Sequence, residues 1–171
     1  FDFEKANWFN QQYIIATDDM QLLKNVKPFI STDVLSNYSE DYLLTVMKLM
    51  KERLQKFTDF NDAAGLFFTA PTSYDEKQVK KRFSEELIPH FDAMKGLASS
   101  SDFSSEELST TIKGYLNDNG LKMGMYLPLL RIMMCGSLTG PDLFDIISLL
   151  GKEESMKRWD DAISAFKNMI K

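Results

Sequence analysis

The chain has 171 residues, 44% of them hydrophobic and 26% charged, with a formal net charge of −5 and a pI near 5.0. That is enough to bury a core in one or two domains, and the acidic balance counts against a protein that coats a nucleic-acid duplex. Cys135 is the only cysteine, which excludes an internal disulfide and fits a reducing, cytoplasmic home.

The chain opens abruptly at Phe1 without a signal peptide, as an excised piece of a larger protein would. Its first clear helix begins at Ser39, a good N-cap, followed by Glu40 and Asp41 at the positive end. Tyr42, Val46, Leu49, Met50, Leu54 and Phe57 then recur every three or four residues, which predicts one helix with one apolar face. Thr69-Ala70-Pro71-Thr72-Ser73 interrupts the helical pattern, and the chain divides there into subdomains 1–72 and 73–171. Ser99-Ser100-Ser101 reads as a polar loop. Ser104 and Glu107 form a capping-box pattern ahead of Leu108, Ile112, Tyr115 and Leu116, and Gly120 ends that helix.

From Lys122 the sequence runs KMGMYLPLLRIMMCGSLTGPDLFDIISLLGKE. The longest apolar run, Met125 to Cys135, contains Pro128 and Arg131 and is far below membrane-spanning length. Arg131 is the one charge on that apolar face, so it is either a buried structural arginine or the donor for a ligand. The last helix carries Met156, Trp159, Ile163, Phe166 and Ile170 at steps of three and four, predicting a buried stripe. Trp8 and Trp159 are both expected to pack in the core. No strand or hairpin signal occurs, heptads do not persist, and no solenoid repeat is visible. The fold class is all-α, in two consecutive helical subdomains.

Catalytic constellations are absent. His90 and Cys135 are single, no Gly-rich phosphate loop occurs, and the carboxylates are scattered over different helix faces. Neither a catalytic nor a metal-ligating set is expected, and no cofactor for this stretch. Two basic patches, Lys48-Lys51-Arg53-Lys56 and Lys77-Lys80-Lys81-Arg82, have acidic neighbours within salt-bridging range. The pattern is that of a binder. One class of binder is an α-helical protein-interaction module, supported by the acidic balance and the ten methionines.

A second class is suggested by an ordered set of short elements. Phe1-Asp2-x-x-Lys5, Trp8-x-Asn10 and Tyr13-Ile14 open the chain; Leu49-Met50-Lys51-Glu52-Arg53, Phe67-Phe68 and Tyr74-Asp75 follow. Arg131, Gly136, Gly140-Pro141-x-Leu143 and Leu150-Gly151-Lys152-Glu153 complete it. Together they resemble the anticodon-binding region of bacterial-type glutamyl-tRNA synthetases over nearly the whole chain. Departures are local: Ala6 stands where that family usually has Leu, Pro128 lies three residues before Arg131, and Met133-Met134-Cys135 replaces a more usual Ala-Leu-Thr.

The resemblance implies a fragment comprising the end of a connecting region plus a first helical anticodon-binding subdomain (1–72), and a second such subdomain (73–171). It implies the anticodon loop of tRNA(Glu) as partner, with an upstream catalytic domain in the same chain, no membrane and a monomeric, cytoplasmic state. ATP with magnesium and glutamate would serve the parent enzyme only, because HIGH-like and KMSKS-like signatures occur nowhere here. On the residues alone Arg53 reads as an exposed arginine pairing with Glu52 or a nearby aspartate; the resemblance reverses that reading, because Arg53 takes the family position that reads the third anticodon base. Arg131, Pro141 and Leu143 would frame the first base, and Lys113 would add a phosphate or base contact, although a lone lysine on a helix is commonly solvated. An arginine fork meets the O2 and N3 acceptors of cytosine but opposes the N1–H and N2–H₂ donors of guanine, a mismatch of about 1–3 kcal/mol in a desolvated pocket.

Overall fold

A computed structural model describes residues 2–171, and no strand occurs among them. In chain order the helices are α1 (Phe3–Ala16), α2 (Asp19–Val26), α3 (Thr32–Asn37), α4 (Glu40–Met50), α5 (Phe60–Ala64) and α6 (Glu76–Arg82), then α7 (Ile88–Ser100), α8 (Ser105–Asp118), α9 (Met123–Cys135), α10 (Leu143–Leu150) and α11 (Lys152–Met169). Several begin with a side-chain oxygen that accepts from the otherwise orphaned N–H groups of the first turn: Asp18, Ser31, Ser39, Asp75, Ser104 and Asp142. The chain forms two compact units, the first ending at Thr69 and the second spanning Ala70–Lys171. The sequence division after residue 72 lies in the irregular stretch that opens the second unit. Phe1, which begins the family resemblance, lies outside the described residues.

In the first unit α2 packs on α4, and Ile14, Leu22, Val26, Val46, Met47, Leu54, Phe60 and Phe67 build its core. The helix expected from Ser39 to Phe57 stops at Met50 and passes into a single 3-10 turn, Lys51–Arg53. Side chains have taken over the backbone groups that a longer helix would use. Gln11 Nε2 donates to the Glu52 carbonyl at 2.8 Å, and Asn10 Nδ2 donates to that of Gln55. Asp59 Oδ2 accepts from the N–H groups of Gln55 and Lys56 at 3.1 and 2.8 Å. Such bonds offer the chain an alternative to the helical ladder. Leu54 is still fully buried, but from extended backbone, and of the expected face Tyr42 and Leu49 are only part-buried while Leu43 and Met47 join the core.

In the second unit α8 lies between α7 and α10, and α9 packs on α11. Three sequence expectations change here. Ser99 and Ser100 belong to α7, where Ser100 bonds back to the Gly96 carbonyl and Ser101 to that of Ala98, so the loop begins two residues later, at Ser101. Ser104 caps Glu107 N, but the reciprocal half of the capping box is absent from the described bonds: Asp102 accepts from Ser104 N at 2.8 Å, and Glu107 turns to Thr111. On α11 Trp159, Ile163 and Phe166 are buried as expected, whereas Met156 and Ile170 are part-buried and Ser155, Arg158 and Ala162 lie inside. Trp8, placed in the core by its bulk, is 54% exposed, because α1 is held by a narrow face centred on Ile14.

Candidate nucleic-acid interface

The second unit builds a cavity from α8, α9 and the loop leading into α10, and Arg131 lies on it. On α9 Leu127 and Pro128 share its face with Arg131, being four and three residues away. Pro128 sits inside the helix and cannot donate to the Gly124 carbonyl, so the ladder is open beside the cavity. At its C-terminus α9 stops on Gly136, whose φ of 77° belongs to the left-handed region that glycine tolerates. A Cβ at this point would stand 2.7 Å from the Ser73 carbonyl oxygen and 3.1 Å from Pro71. Gly136 also accepts at its carbonyl from Asp75 N at 2.8 Å. The close approach fixes where the loop from Ser137 to Asp142 departs.

That loop returns Gly140-Pro141 beneath Arg131. Arg131 Nη1 donates to the Pro141 carbonyl at 2.7 Å, which commits part of the guanidinium and orients the rest. Gly140 passes so close that a Cβ would lie 3.3 Å from Arg131 Nη1 and 3.4 Å from Ile146, with φ at 138°. Asp142 then caps α10, accepting from the N–H groups of Phe144 and Asp145 at 2.8 and 3.3 Å. Leu143, Phe144 and Leu138 supply apolar wall, and Lys113 of α8 closes the rim with its Nζ 5.1 Å from the Phe144 ring centroid. The cleft is open to solvent and offers about 340 Å³. That lies at the low end for small-ligand sites and suits a single base better than a row of bases. A half-buried arginine, an exposed lysine and the Asp142 carboxylate thus meet over leucine and proline surface.

Of the five residues singled out from the sequence, Lys113, Arg131 and Leu143 line this cavity, and Pro141 enters through the carbonyl that holds Arg131. Arg53 does not join them. It is an exposed side chain in the other unit, at the end of the Lys51–Arg53 turn, where Lys51 is anchored to Asp19 at 2.7 Å and to the Thr17 carbonyl at 3.1 Å. Sequence reading missed Leu127, Leu138, Asp142 and Phe144. Spacing from Arg131 on one helix face could have found Leu127, and Asp142 has the N-cap signature before an apolar run; Leu138 and Phe144 carry no such signal. It also missed Arg158, 2% exposed, whose Nε donates to Glu154 at 2.7 Å and whose Nη1 donates to the Met134 carbonyl at 2.8 Å. The buried structural arginine considered for Arg131 is Arg158, which ties α11 to the end of α9.

The unused nucleophiles are quiet. Burial pushes the Cys135 thiol up to about 11 against the pull of the Arg131 and Arg158 guanidiniums, so it is neutral near pH 7. His90 is satisfied, its Nδ1 2.9 Å from the Tyr115 hydroxyl. Among the described residues no cluster of His, Cys, Asp and Glu could hold a metal ion, and no helix is long and apolar enough to cross a membrane.

Residues 21–163 match the model of a family described as anticodon binding domain. The chain belongs to that family. Glutamate–tRNA ligases from Flavobacterium johnsoniae and Porphyromonas gingivalis are 36% and 35% identical to it, over 96% and 95% of the chain. A crystal structure of a glutamate tRNA ligase from Elizabethkingia meningosepticum in complex with its amino acid superimposes with a TM-score of 0.88 at 34% identity over 97% of the chain. A glutamate-tRNA synthetase from Elizabethkingia anophelis gives 0.84 at 33% identity over 96%. The chain spans about a third of the length of these relatives, 33% and 32% of the two ligases and 33% and 32% of the two structures. The all-α architecture is therefore that of an anticodon-binding domain, and the protein-interaction module is not favoured.

Proposed function

We propose that this chain is the anticodon-binding part of a longer glutamate–tRNA ligase and holds the anticodon loop of tRNA(Glu), as a monomer in the cytoplasm. The observation that carries the reading is the Arg131 cavity, which combines a pre-oriented guanidinium, a lysine and an apolar wall in a volume suited to one base. The cavity takes the first anticodon base. Leu143 and the Pro141 turn pack against its ring, the free N–H groups of Arg131 meet its acceptors, and Lys113 reaches the neighbouring phosphate. Arg53 reads the third base from its exposed turn, favouring cytosine over guanine because its fork has only donors. Exposure suits that task, since an unstacked base must be reached from solvent. ATP with magnesium and glutamate bind in the remaining length of the parent, and this chain contributes recognition without charging tRNA itself.

Filter binding of an unmodified tRNA(Glu) transcript tests the reading, at one fixed salt concentration because phosphate contacts make RNA affinity salt-dependent. The chain should bind that transcript in preference to one with a changed anticodon, and Arg131→Ala should weaken binding. Equal affinity for both transcripts would remove the anticodon from the site.

A further inference from the structure

We infer that α6 is a track for the RNA backbone, on which Lys77 and Lys81 bind two phosphates of the tRNA strand that leaves the Arg131 cavity. The inference rests on the reading above that the cavity holds an anticodon base. Helix α6, Glu76–Arg82, carries four cations, Lys77, Lys80, Lys81 and Arg82, against the single carboxylate of Glu76, in a chain whose net charge is −5. Val79 is fully buried, and Phe83, just past the helix, meets Phe166 of α11 edge-on with ring centroids 5.3 Å apart. That fixes the inward side. Lys77 and Lys81 stand two positions either side of Val79 and so fall together on the opposite, exposed ridge.

The fold removes the acidic partners that the sequence offered these lysines. Asp75 is committed as the N-cap, accepting from Gln78 N at 3.0 Å; Glu76 pairs with Lys80, and Arg82 donates to Gln78. The backbone turns extended at Phe83 before Glu85 and Glu86 begin the next turn. Among the described residues neither Lys77 nor Lys81 has an ionic partner. Their separation of four residues is about 6 Å along the axis, comparable with the step between neighbouring phosphates of an RNA strand. Position selects RNA as the occupant. Asp75 N donates to the Gly136 carbonyl at 2.8 Å, so α6 starts where α9 ends and where the cavity loop departs. Arg131 lies five residues back along α9 and Lys81 six residues on from Asp75, which puts them within roughly 20 Å of each other, a few nucleotides of backbone. An acidic protein surface would meet the same charge, but nothing ties it to the cavity loop.

Filter binding of a tRNA(Glu) transcript to the natural full-length polypeptide, repeated over a salt series, tests this. Lys77→Gln with Lys81→Gln removes two phosphate contacts, each worth about 0.7 in the slope of log affinity against log salt. The affinity lost between about 50 and 200 mM salt should therefore be roughly sevenfold smaller than in the parent protein. The factor should be the same for a transcript with a changed anticodon, because phosphates carry no sequence. Lys77→Arg with Lys81→Arg should keep the parent slope, and the glutamine pair should keep the parent melting midpoint. An unchanged slope in the glutamine pair overturns the inference and leaves the ridge to an acidic protein. A slope lowered as much by the arginine pair, or a glutamine pair that melts earlier, overturns it too by making the lysines structural. Equal affinity of the parent protein for the two transcripts overturns the anticodon reading instead, while a slope that still falls with the lysines keeps the phosphate contact.

Discussion

Arg131 leaves a helix of 13 residues, and one of its N–H groups is held 2.7 Å from the Pro141 carbonyl; Arg53 stands at the end of a three-residue turn, exposed to solvent. Behind Arg131, α9 is gripped by α11 through Arg158 and by the Ser73–Asp75 segment through Gly136. Behind Arg53 the support is the Lys51–Asp19 pair and two amide side chains of α1. The same residue type is thus offered in two ways. A guanidinium fixed against a backbone carbonyl gives up little side-chain entropy on binding, out of up to about 2 kcal/mol of rotamer freedom in such a side chain. Affinity belongs to the first arrangement. Discrimination is open to both, because it depends on the mismatch of donors with donors and not on how rigidly they were held beforehand.

The comparison breaks most strongly where the rigid side loses its support. Trp159 is 1% exposed and packs edge-on against Phe91 with ring centroids 6.2 Å apart. Trp159→Ala should cost about 3–5 kcal/mol in urea unfolding, while Trp8→Ala should change stability by about 0.5 kcal/mol or less. Similar losses from the two substitutions would mean that α11 is not the backing of the Arg131 cavity.

Gly136→Ala attacks the same support through the backbone. The left-handed φ alone costs about 1–3 kcal/mol, and the new methyl would also press on the Ser73 carbonyl. The protein should remain folded but melt earlier, and, on the role proposed for Arg131, binding of the tRNA(Glu) transcript should weaken with it. A midpoint equal to that of the parent would show that the Pro71–Asp75 segment moves aside without cost.

Arg131→Ala removes the donor and leaves the support. Arg131 is only half-buried, so unfolding should change by about 1 kcal/mol or less. Binding of tRNA(Glu) should fall by roughly tenfold, about 1.4 kcal/mol. A large loss of stability with little loss of binding would return Arg131 to the structural role that Arg158 already fills.

Periodicity made the helices legible because amphipathic helices need only local spacing, and so did the caps at Ser39 and Ser104. Arg131 was legible as a charge in apolar surroundings, and the Gly140-Pro141 turn as punctuation. What stayed hidden depended on partners distant in sequence. Helix α4 ends early because Asn10 and Gln11, some 40 residues upstream, capture its next carbonyls. Arg158 looked like one more charged residue beside Glu154 until the Met134 carbonyl stood against it. Trp8 looked like core because bulk and apolarity cannot say whether a neighbour exists to cover them.

The smallest effect on stability and the most specific effect on function belong to Arg53. Arg53→Gln on an exposed turn should shift unfolding by about 0.5 kcal/mol or less. Glutamine carries an acceptor beside its donors, so it can satisfy part of the guanine edge that a guanidinium opposes. In the full-length parent the kcat/KM ratio for transcripts ending the anticodon in cytosine over those ending in guanine should therefore fall, by roughly tenfold for a lost mismatch near 1.4 kcal/mol. Arg131→Ala should lower both transcripts alike, since the first base is the same in each. An unchanged ratio in the Arg53→Gln enzyme would take Arg53 out of base reading. An equal loss on both transcripts would make it a phosphate contact, and the exposed arginine would then supply affinity and not discrimination.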